Sequence, residues 1–510
     1  MNADPRVKLS QELTPASAAP ALEALDRNRV IVRCQPGPES APNALGAAAL
    51  LALVSRTHAH VELDRDVALP PNPWGADSLQ GLYRSLSGIR PAPAASPTGT
   101  LLIDIGQHPA DSDCHASIRI GGDAWTAVTT GDGGLPQLAT GCRAPADQGA
   151  PYGMLLAAGF GAAHLFREAL RSLGLPAHPA GADLLWNMLT YRRATAPKDL
   201  ATRAVRPRWP AVAWLGCGSV NSSATAALAC EDLHGLTTWT IDGDRFDPGH
   251  NAFRYPASTG AETGDKAGWL SCMLRNAGAN SSPHVGPVRD WVRSRPTPGF
   301  YGIAVCGVDS VDGRYEAADL LAQTTLSAAV SGMALHLQRE HLGDGYRCPY
   351  CDFVDLRTPL SQAAADAALT GLEERRVIEL LHDPQGLTET DISQLIAHGK
   401  IPARTAPDLL GRRIADLRAR IYAEGLIPAH SPDAAPTPVS APFVSWVSGV
   451  LCAAEIAKAA RSLPLIDRRV ELDLHGLPDD FVYRLSQDKS GRCACASIVR
   501  RRWMLRLYGK

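Results

Sequence analysis

The sequence predicts an α/β protein built of two similar halves, and three observations carry that expectation. The first is a glycine loop: Val212-Ala213-Trp214-Leu215 reads as an apolar strand that runs into Gly216-Cys217-Gly218 and then a helix. The second is an ordered set of polar residues beyond that loop, namely Asp242, Asp244, Asn251, Arg254, Lys266 and Asp309. The third is an internal repeat. APYGMLLAAGFGAAHLFREALRSLGL begins at Ala150 and APFVSWVSGVLCAAEIAKAARSLPL at Ala441, and a single-residue gap aligns them.

The glycine loop comes first because it constrains most. A strand that ends in Gly-x-Gly before a helix lets backbone amides approach a phosphate, and a side chain at either glycine would block that approach. About two dozen residues past Gly218, Asp242 ends a second apolar strand, where a Rossmann-type site places the carboxylate that accepts hydrogen bonds from a ribose. Arg254 and Lys266 can neutralise a triphosphate, Asn251 can hydrogen-bond it, and Asp309 can hold Mg2+ at a strand's carboxyl end. Hydride transfer needs none of these last four, so the set points to chemistry on a nucleotide phosphate.

This ordered set resembles the ThiF-type adenylating family, which includes the activating enzymes for ubiquitin and ubiquitin-like proteins. The resemblance implies two tandem Rossmann-like adenylation domains, the first degenerate (residues 1–200) and the second active (residues 201–510), with a crossover segment at about 352–440. It assigns ribose binding to Asp242 within the Asp242-Gly243-Asp244 motif, phosphate binding to Gly216, Gly218, Asn251, Arg254 and Lys266, and magnesium to Asp309. Arg254, Lys266 and Asp309 would carry the chemistry, with Arg314 closing an Asp-x-x-x-x-Arg segment. Two departures stand out. Asn221 occupies the usual place of a third glycine, which predicts a helix slightly farther from its strand, and the stretch from Asp242 to Asn251 is one residue longer than usual.

The repeat extends upstream of its helices. Val30-Ile31-Val32 leads through a Pro/Gly loop and an alanine-rich helix to the strand His60 to Leu63, which ends at Asp64-Arg65-Asp66, and Leu101 to Ile105 with Asp104 echoes Gly302 to Asp309. The first-half loop reads Gln35-Pro36-Gly37-Pro38-Glu39; its prolines lack amide donors and its glutamate repels phosphate, so ATP binding is not expected there. Thr195 to Pro210 reads as the linker. In dimeric relatives an arginine from the partner domain reaches the phosphates; Arg6 is the candidate by position, against the alternative of a surface arginine.

Composition sets the remaining bounds. A chain of 510 residues with 45% hydrophobic and 20% charged residues holds two or more soluble domains. A net charge of -2 and a pI near 6.7 argue against nucleic acid as the main partner. No signal peptide opens the chain, and the apolar stretch Ala44 to Val54 is too short to span a bilayer, which predicts a cytoplasmic protein without a membrane partner. In that setting the twelve cysteines read as core residues, metal ligands or reactive thiols rather than disulfides.

Cys348-Pro349-Tyr350-Cys351 and Cys493-Ala494-Cys495 are the two close cysteine pairs; four thiolates from distant segments suit a structural Zn2+ knuckle, with free or redox-active thiols as the alternative. Residues 352–440 contain no cysteine, so a thioester would need either a conjugating protein's thiol or a cysteine elsewhere. Cys452 reads as core and Cys217 as a filler between glycines, while His382 and His398 read as solvent-facing. Thr388-Glu389-Thr390-Asp391 starts a helix in what reads as a lid or docking element. Arg500 to Arg502 read as a solvated face with Trp503 as anchor.

The resemblance implies ATP-dependent adenylation of the C-terminal carboxylate of a ubiquitin-like protein, with release of pyrophosphate, and transfer to a thiol of a conjugating enzyme, in a bacterial pathway of the kind linked to antiviral defence. Adenylation of a peptide or sulfur-carrier protein, a nicotinamide-dependent dehydrogenase, and a non-catalytic scaffold are the alternatives.

Overall fold

The computed structural model describes Arg6 and residues 18–34, 40–105, 116–122, 125–130, 150–173, 184–193, 206–296, 299–309, 311–341, 348–351, 354, 362–383, 385–401, 403, 406–417, 441–466, 469–474, 482–483 and 486–509. It is a mixed α/β structure with two sheets whose central strands are parallel.

In the first sheet the strands β1 (Asn28–Cys34), β2 (Val61–Leu63), β3 (Gly99–Ile105) and β4 (Ala116–Gly122) run in the order β2-β1-β3-β4, all parallel. β5 (Thr126–Thr130), β6 (Leu184–Asn187) and β7 (Arg192–Arg193) extend it antiparallel. In the second sheet β8 (Ala211–Leu215), β9 (Thr237–Asp242), β10 (Asn280–Val285), β11 (Phe300–Cys306) and β12 (Ala322–Ser331) take the order β10-β9-β8-β11-β12, again parallel. β13 (Ala334–His341), β14 (Arg469–Asp473) and β15 (Val482–Tyr483) close it antiparallel. The order β2-β1-β3-β4 thus recurs as β9-β8-β11-β12.

Between the sheets runs a row of four helices, Ser40–Thr57, Tyr152–Ala169, Pro442–Ala460 and Ser219–Leu228, each touching the next. The two helices whose sequences repeat are the middle pair. Both are mostly apolar and buried on nearly every side, which a helix tolerates only where neighbours cover every face. The helix Pro442–Ala460 is long and apolar enough to cross a membrane, and 94% of that stretch is buried inside the protein. Close approach is bought with glycine: a Cβ on Gly159 would stand 2.5 Å from Val447 Cγ2, and one on Gly449 would stand 2.5 Å from Ser223 Cβ and 2.6 Å from the Ala224 amide. Trp446 donates its indole N–H to the Leu155 carbonyl at 2.8 Å and stacks on Trp74, and one apolar core includes residues of both sheets. Gly449→Ala is therefore expected to destabilise the protein by about 1–3 kcal/mol, read as a lowered melting temperature, because backbone at Ala224 cannot rotate away as a side chain could.

The described residues between 362 and 417 include small helices, among them Gln362–Thr370, Glu374–His382 and Glu389–Ala397, around an apolar cluster of their own. The helix start expected at Thr388 is a capping box: Thr388 and Asp391 each bond the other's backbone amide, and Arg376 grips Asp391 through two nitrogens at 2.9 Å. His382 and His398 are exposed there. Of the linker expected at 195–210, only 206–210 are described, without regular secondary structure. The first-half loop 35–39 lies outside the described residues.

Three expectations are corrected. Arg6 is not on the surface and does not reach out: its guanidinium is fully buried on Asp26, Nη1 to Oδ1 at 2.5 Å and Nη2 to Oδ2 at 3.2 Å. Asp104 does not echo Asp309, since it lies inside β3 opposite Arg33, whose Nε it holds at 2.5 Å, with Arg119 at 3.9 Å. Trp503 is 42% exposed and anchors little; Met504 and Tyr508 tie down the last helix, Ile498–Tyr508, while Arg500 turns inward to Glu340.

Candidate functional site

β8 is the central strand of its parallel set, flanked by β9 on one side and β11 on the other, so the chain leaves β8 at the point where strand order reverses. Open parallel sheets bind ligands at that crevice, outside the carboxyl ends of the strands. Gly216 follows β8, Asp242 is the last residue of β9, and Asp309 lies three residues past the end of β11. All three expected elements therefore share one edge.

The two glycines have different reasons. Gly216 has φ +83, in the left-handed region that favours glycine, and a Cβ there would meet the Gly307–Val308 backbone at 3.1 Å. Gly218 is in ordinary extended backbone as the N-cap of the helix Ser219–Leu228, no side chain caps it, and a Cβ would find nothing nearer than the Gly307 carbonyl at 3.7 Å. Protein packing leaves that position room for a side chain, so its glycine keeps space open above the helix's first amides. That is the cradle a phosphate would fill.

Asp242 locks this loop. Its Oδ2 accepts from the Cys217 amide at 2.6 Å and its Oδ1 from the Asp244 amide at 2.7 Å. Burial raises its pKa against the pull of those two amides and of Lys266. Asn221, at the third-glycine position, turns its Nδ2 to the Gly216 carbonyl at 2.7 Å and packs on Gly307, where a Cβ would stand 2.5 Å from that nitrogen. Gly307, without a side chain, makes room for the one that Asn221 has. Cys217 is buried against Ala267 and Leu270, which seats the Lys266 helix on the loop; burial, then Asp242, raises its thiol pKa, so it is a filler and not a nucleophile.

Lys266 opens the helix Lys266–Asn276, and the chain around Arg245 and Asp265 pairs so that its Nζ meets Asp244 Oδ2 at 2.7 Å. Burial presses this ammonium toward neutrality, but Tyr255, Asp244 and Asp242 outweigh it and hold its pKa above the usual lysine value. Asn251 is buried, and its amide oxygen accepts from the Asp247 backbone at 2.8 Å; that oxygen braces the helix Pro248–Arg254 and is not turned to a ligand. Arg254, half-buried at the end of that helix, and exposed Asp309 have no hydrogen-bond or ion-pair partner among the described residues. Arg314 is buried and bonds Ser327 at 3.1 Å, a role inside the fold. The loop leaves space above its amides, and Arg254 and Asp309 stand without a partner among the described residues beside it.

Sequence reasoning missed Ser445, which donates to Ser219 Oγ at 3.2 Å and ties the helix after the crossover to the loop. A serine in a mostly apolar helix, with Ser448 one turn away, gives no signal of its own.

The four expected cysteines come together. Sulfur–sulfur distances are 3.7 Å for Cys348–Cys351, 3.4 Å for Cys348–Cys493, 3.5 Å for Cys351–Cys493 and 3.5 Å for Cys351–Cys495. Four thiolates about 2.3 Å from a tetrahedral zinc stand roughly 3.8 Å apart, so the set fits that ion. All four sulfurs lie within 4.8 Å of one another, and Gln487 donates to Cys495 Sγ at 3.0 Å.

No family model matches the chain, and no curated protein does. Solved structures of E. coli MccB are similar to it: the complex with MccA-N7isoASN at 13% identity over 56% of this chain and 67% of that one, with a TM-score of 0.33. The MccB complex with ATP gives 13% identity, 57% and 67% coverage and a TM-score of 0.32. The complex with AMPCPP and MccA gives 15%, 56%, 67% and 0.31.

Proposed function

We propose that the chain is an ATP-dependent adenylating enzyme that activates a carboxylate at the C-terminal end of a peptide or small protein. The observation that carries this reading is the edge formed by β8, β9 and β11, with open space at Gly218, a cationic pair in Arg254 and Lys266, and an unmatched Asp309. A carboxylate oxygen bonds to the α-phosphorus while the bond from that phosphorus to the bridging oxygen breaks. An acyl adenylate forms and pyrophosphate leaves. Arg254 and Lys266 stabilise the charge that builds on the departing oxygens, and Asp242 keeps the loop amides in place. Asp309 would hold Mg2+, which supplies further neutralisation of the phosphates. No side chain has to act as nucleophile, consistent with the buried thiols of Cys217 and Cys452.

A narrower reading makes the carboxylate the tail of a ubiquitin-like protein that then passes to a conjugating-enzyme thiol, in a bacterial defence pathway in the cytoplasm. The recurrence of the strand order β2-β1-β3-β4 in one chain favours it, since a second sheet without the glycine loop suits a fused inactive partner. The test is pyrophosphate exchange with ATP in the presence of peptides and of small proteins ending in glycine. Exchange is expected with a free C-terminal carboxylate and lost when that carboxylate is amidated. Binding of a nicotinamide dinucleotide, with no exchange for any carboxylate, would overturn the reading in favour of a dehydrogenase.

A further inference from the structure

Arg56 lies at the end of the helix Ser40–Thr57 that covers the first sheet, and its side chain is fully buried. Its guanidinium donates to three carbonyls of the second half, those of Ala252 at 2.9 Å, Tyr255 at 2.8 Å and Ser258 at 2.5 Å, and to Ala52 in its own helix. No ion pair offsets its burial among the described residues, and desolvation lowers its pKa to about 9 against the more distant Glu262. A buried cation with only carbonyl partners is costly to keep, and the planar fork of donors is what three convergent carbonyls require.

Those carbonyls are not arbitrary. Ala252 lies in the last turn of the helix Pro248–Arg254, where helices leave carbonyls without internal partners and where positive charge is favoured, and Tyr255, the next residue after the helix, also accepts from the Ser258 amide at 2.9 Å. Trp74, also of the first half, donates to the Pro256 carbonyl at 3.1 Å, and Ile89 stands against Gly260, whose Cβ would come within 3.0 Å. On the other side, Tyr255 rests against Phe246 and Trp269, ring centroids 5.5 and 6.0 Å away, which links the segment to the Lys266 helix. The backbone that presents Arg254 is thus gripped from the first half on one flank and by an aromatic trio on the other.

We propose that Arg56 is a positioning residue for nucleotide turnover: it fixes the carbonyls at 252, 255 and 258, and so makes the first half, which lacks a Gly-x-Gly loop of its own, a working part of the second half's site. This rests on the adenylation reading above. Misplacement of a reacting or stabilising group by about 1 Å can cost on the order of 100-fold in rate. Arg56→Met is expected to lower kcat for pyrophosphate exchange by about that factor with a smaller rise in KM for ATP. Hydrogen exchange should quicken at amides 248–260 and not in the Lys266 helix. Arg56→Lys should recover part of the rate, because one ammonium cannot span three carbonyls. Trp74→Phe, which removes only the donor to Pro256, should show a smaller change of the same kind and keeps the test available if Arg56→Met fails to fold.

Two failures stay separate. A wild-type chain with no exchange for any carboxylate removes the adenylation reading. An active wild type whose Arg56→Met variant keeps its kcat, or loses protection evenly over the whole molecule, removes the clamp.

Discussion

Arg254→Gln is expected to cut pyrophosphate exchange by about 100- to 1,000-fold while the melting temperature stays within about 2 °C of the parent. The two halves of this expectation have separate physical grounds. Arg254 has no partner in the folded chain among the described residues, so its removal strands no opposite charge and breaks no hydrogen bond. A charge kept half-buried without a partner is useful only when something negative arrives. Asp309→Asn should behave alike, since that carboxylate is exposed and equally unmatched. Lys266→Met should differ: Asp244 loses its 2.7 Å partner and Asp242 a neighbouring charge, so activity and thermal stability should both fall. Paired thermal melts and exchange rates separate the cases. An Arg254→Gln protein with full exchange, or one whose lost rate follows a lost fold, would remove Arg254 from the site.

Much of this site was legible because its constraints are steric and local. Gly216 is a glycine for reasons of backbone conformation, and Asp242 ends a strand of threonines, Trp239 and Ile241. Asn221 was legible as a departure but not in its effect: its amide fills space that Gly307 vacates, and that exchange links residues 86 positions apart. Asn251 was read as a phosphate ligand from its residue type and its place in the Asn-x-x-Arg motif; what the sequence did not show is that its amide oxygen braces the Asp247 backbone. Arg6 and Arg56 show the wider limit. An arginine near a chain start or a helix end reads as solvent-facing by default, and only the tertiary fold brings Asp26 to the one and the carbonyls of Ala252, Tyr255 and Ser258 to the other. The four cysteines were legible for the opposite reason, since pairs at short spacing advertise a shared ligand before their partners are known.

Those cysteines give the other large expected effect. Loading with Zn2+ should give one ion per chain by native mass spectrometry, and chelation or Cys351→Ala should lower the melting temperature by roughly 10 °C, since a ligand at about 1,000 times its Kd contributes about 4 kcal/mol. The loss should not stay local. Tyr350 and Ala318 belong to the same apolar cluster as Cys348, Cys351 and Cys493, and Tyr315 stacks on Tyr350 with centroids 6.3 Å apart. Tyr315 and Ala318 sit on the helix Val311–Ala318, which begins two residues after Asp309. The cysteine set also holds the final helix, whose Arg501 bonds the Cys495 carbonyl at 3.0 Å and whose Tyr508 accepts from the Phe300 amide at 2.9 Å, at the start of the strand that leads to Asp309. Metal loss should therefore loosen β11 and the helix after it from both ends, so exchange activity should fall at temperatures well below the new melting point. Activity that survives metal removal unchanged up to the melting transition would show that the cysteine cluster fastens only the tail and leaves Asp309 alone.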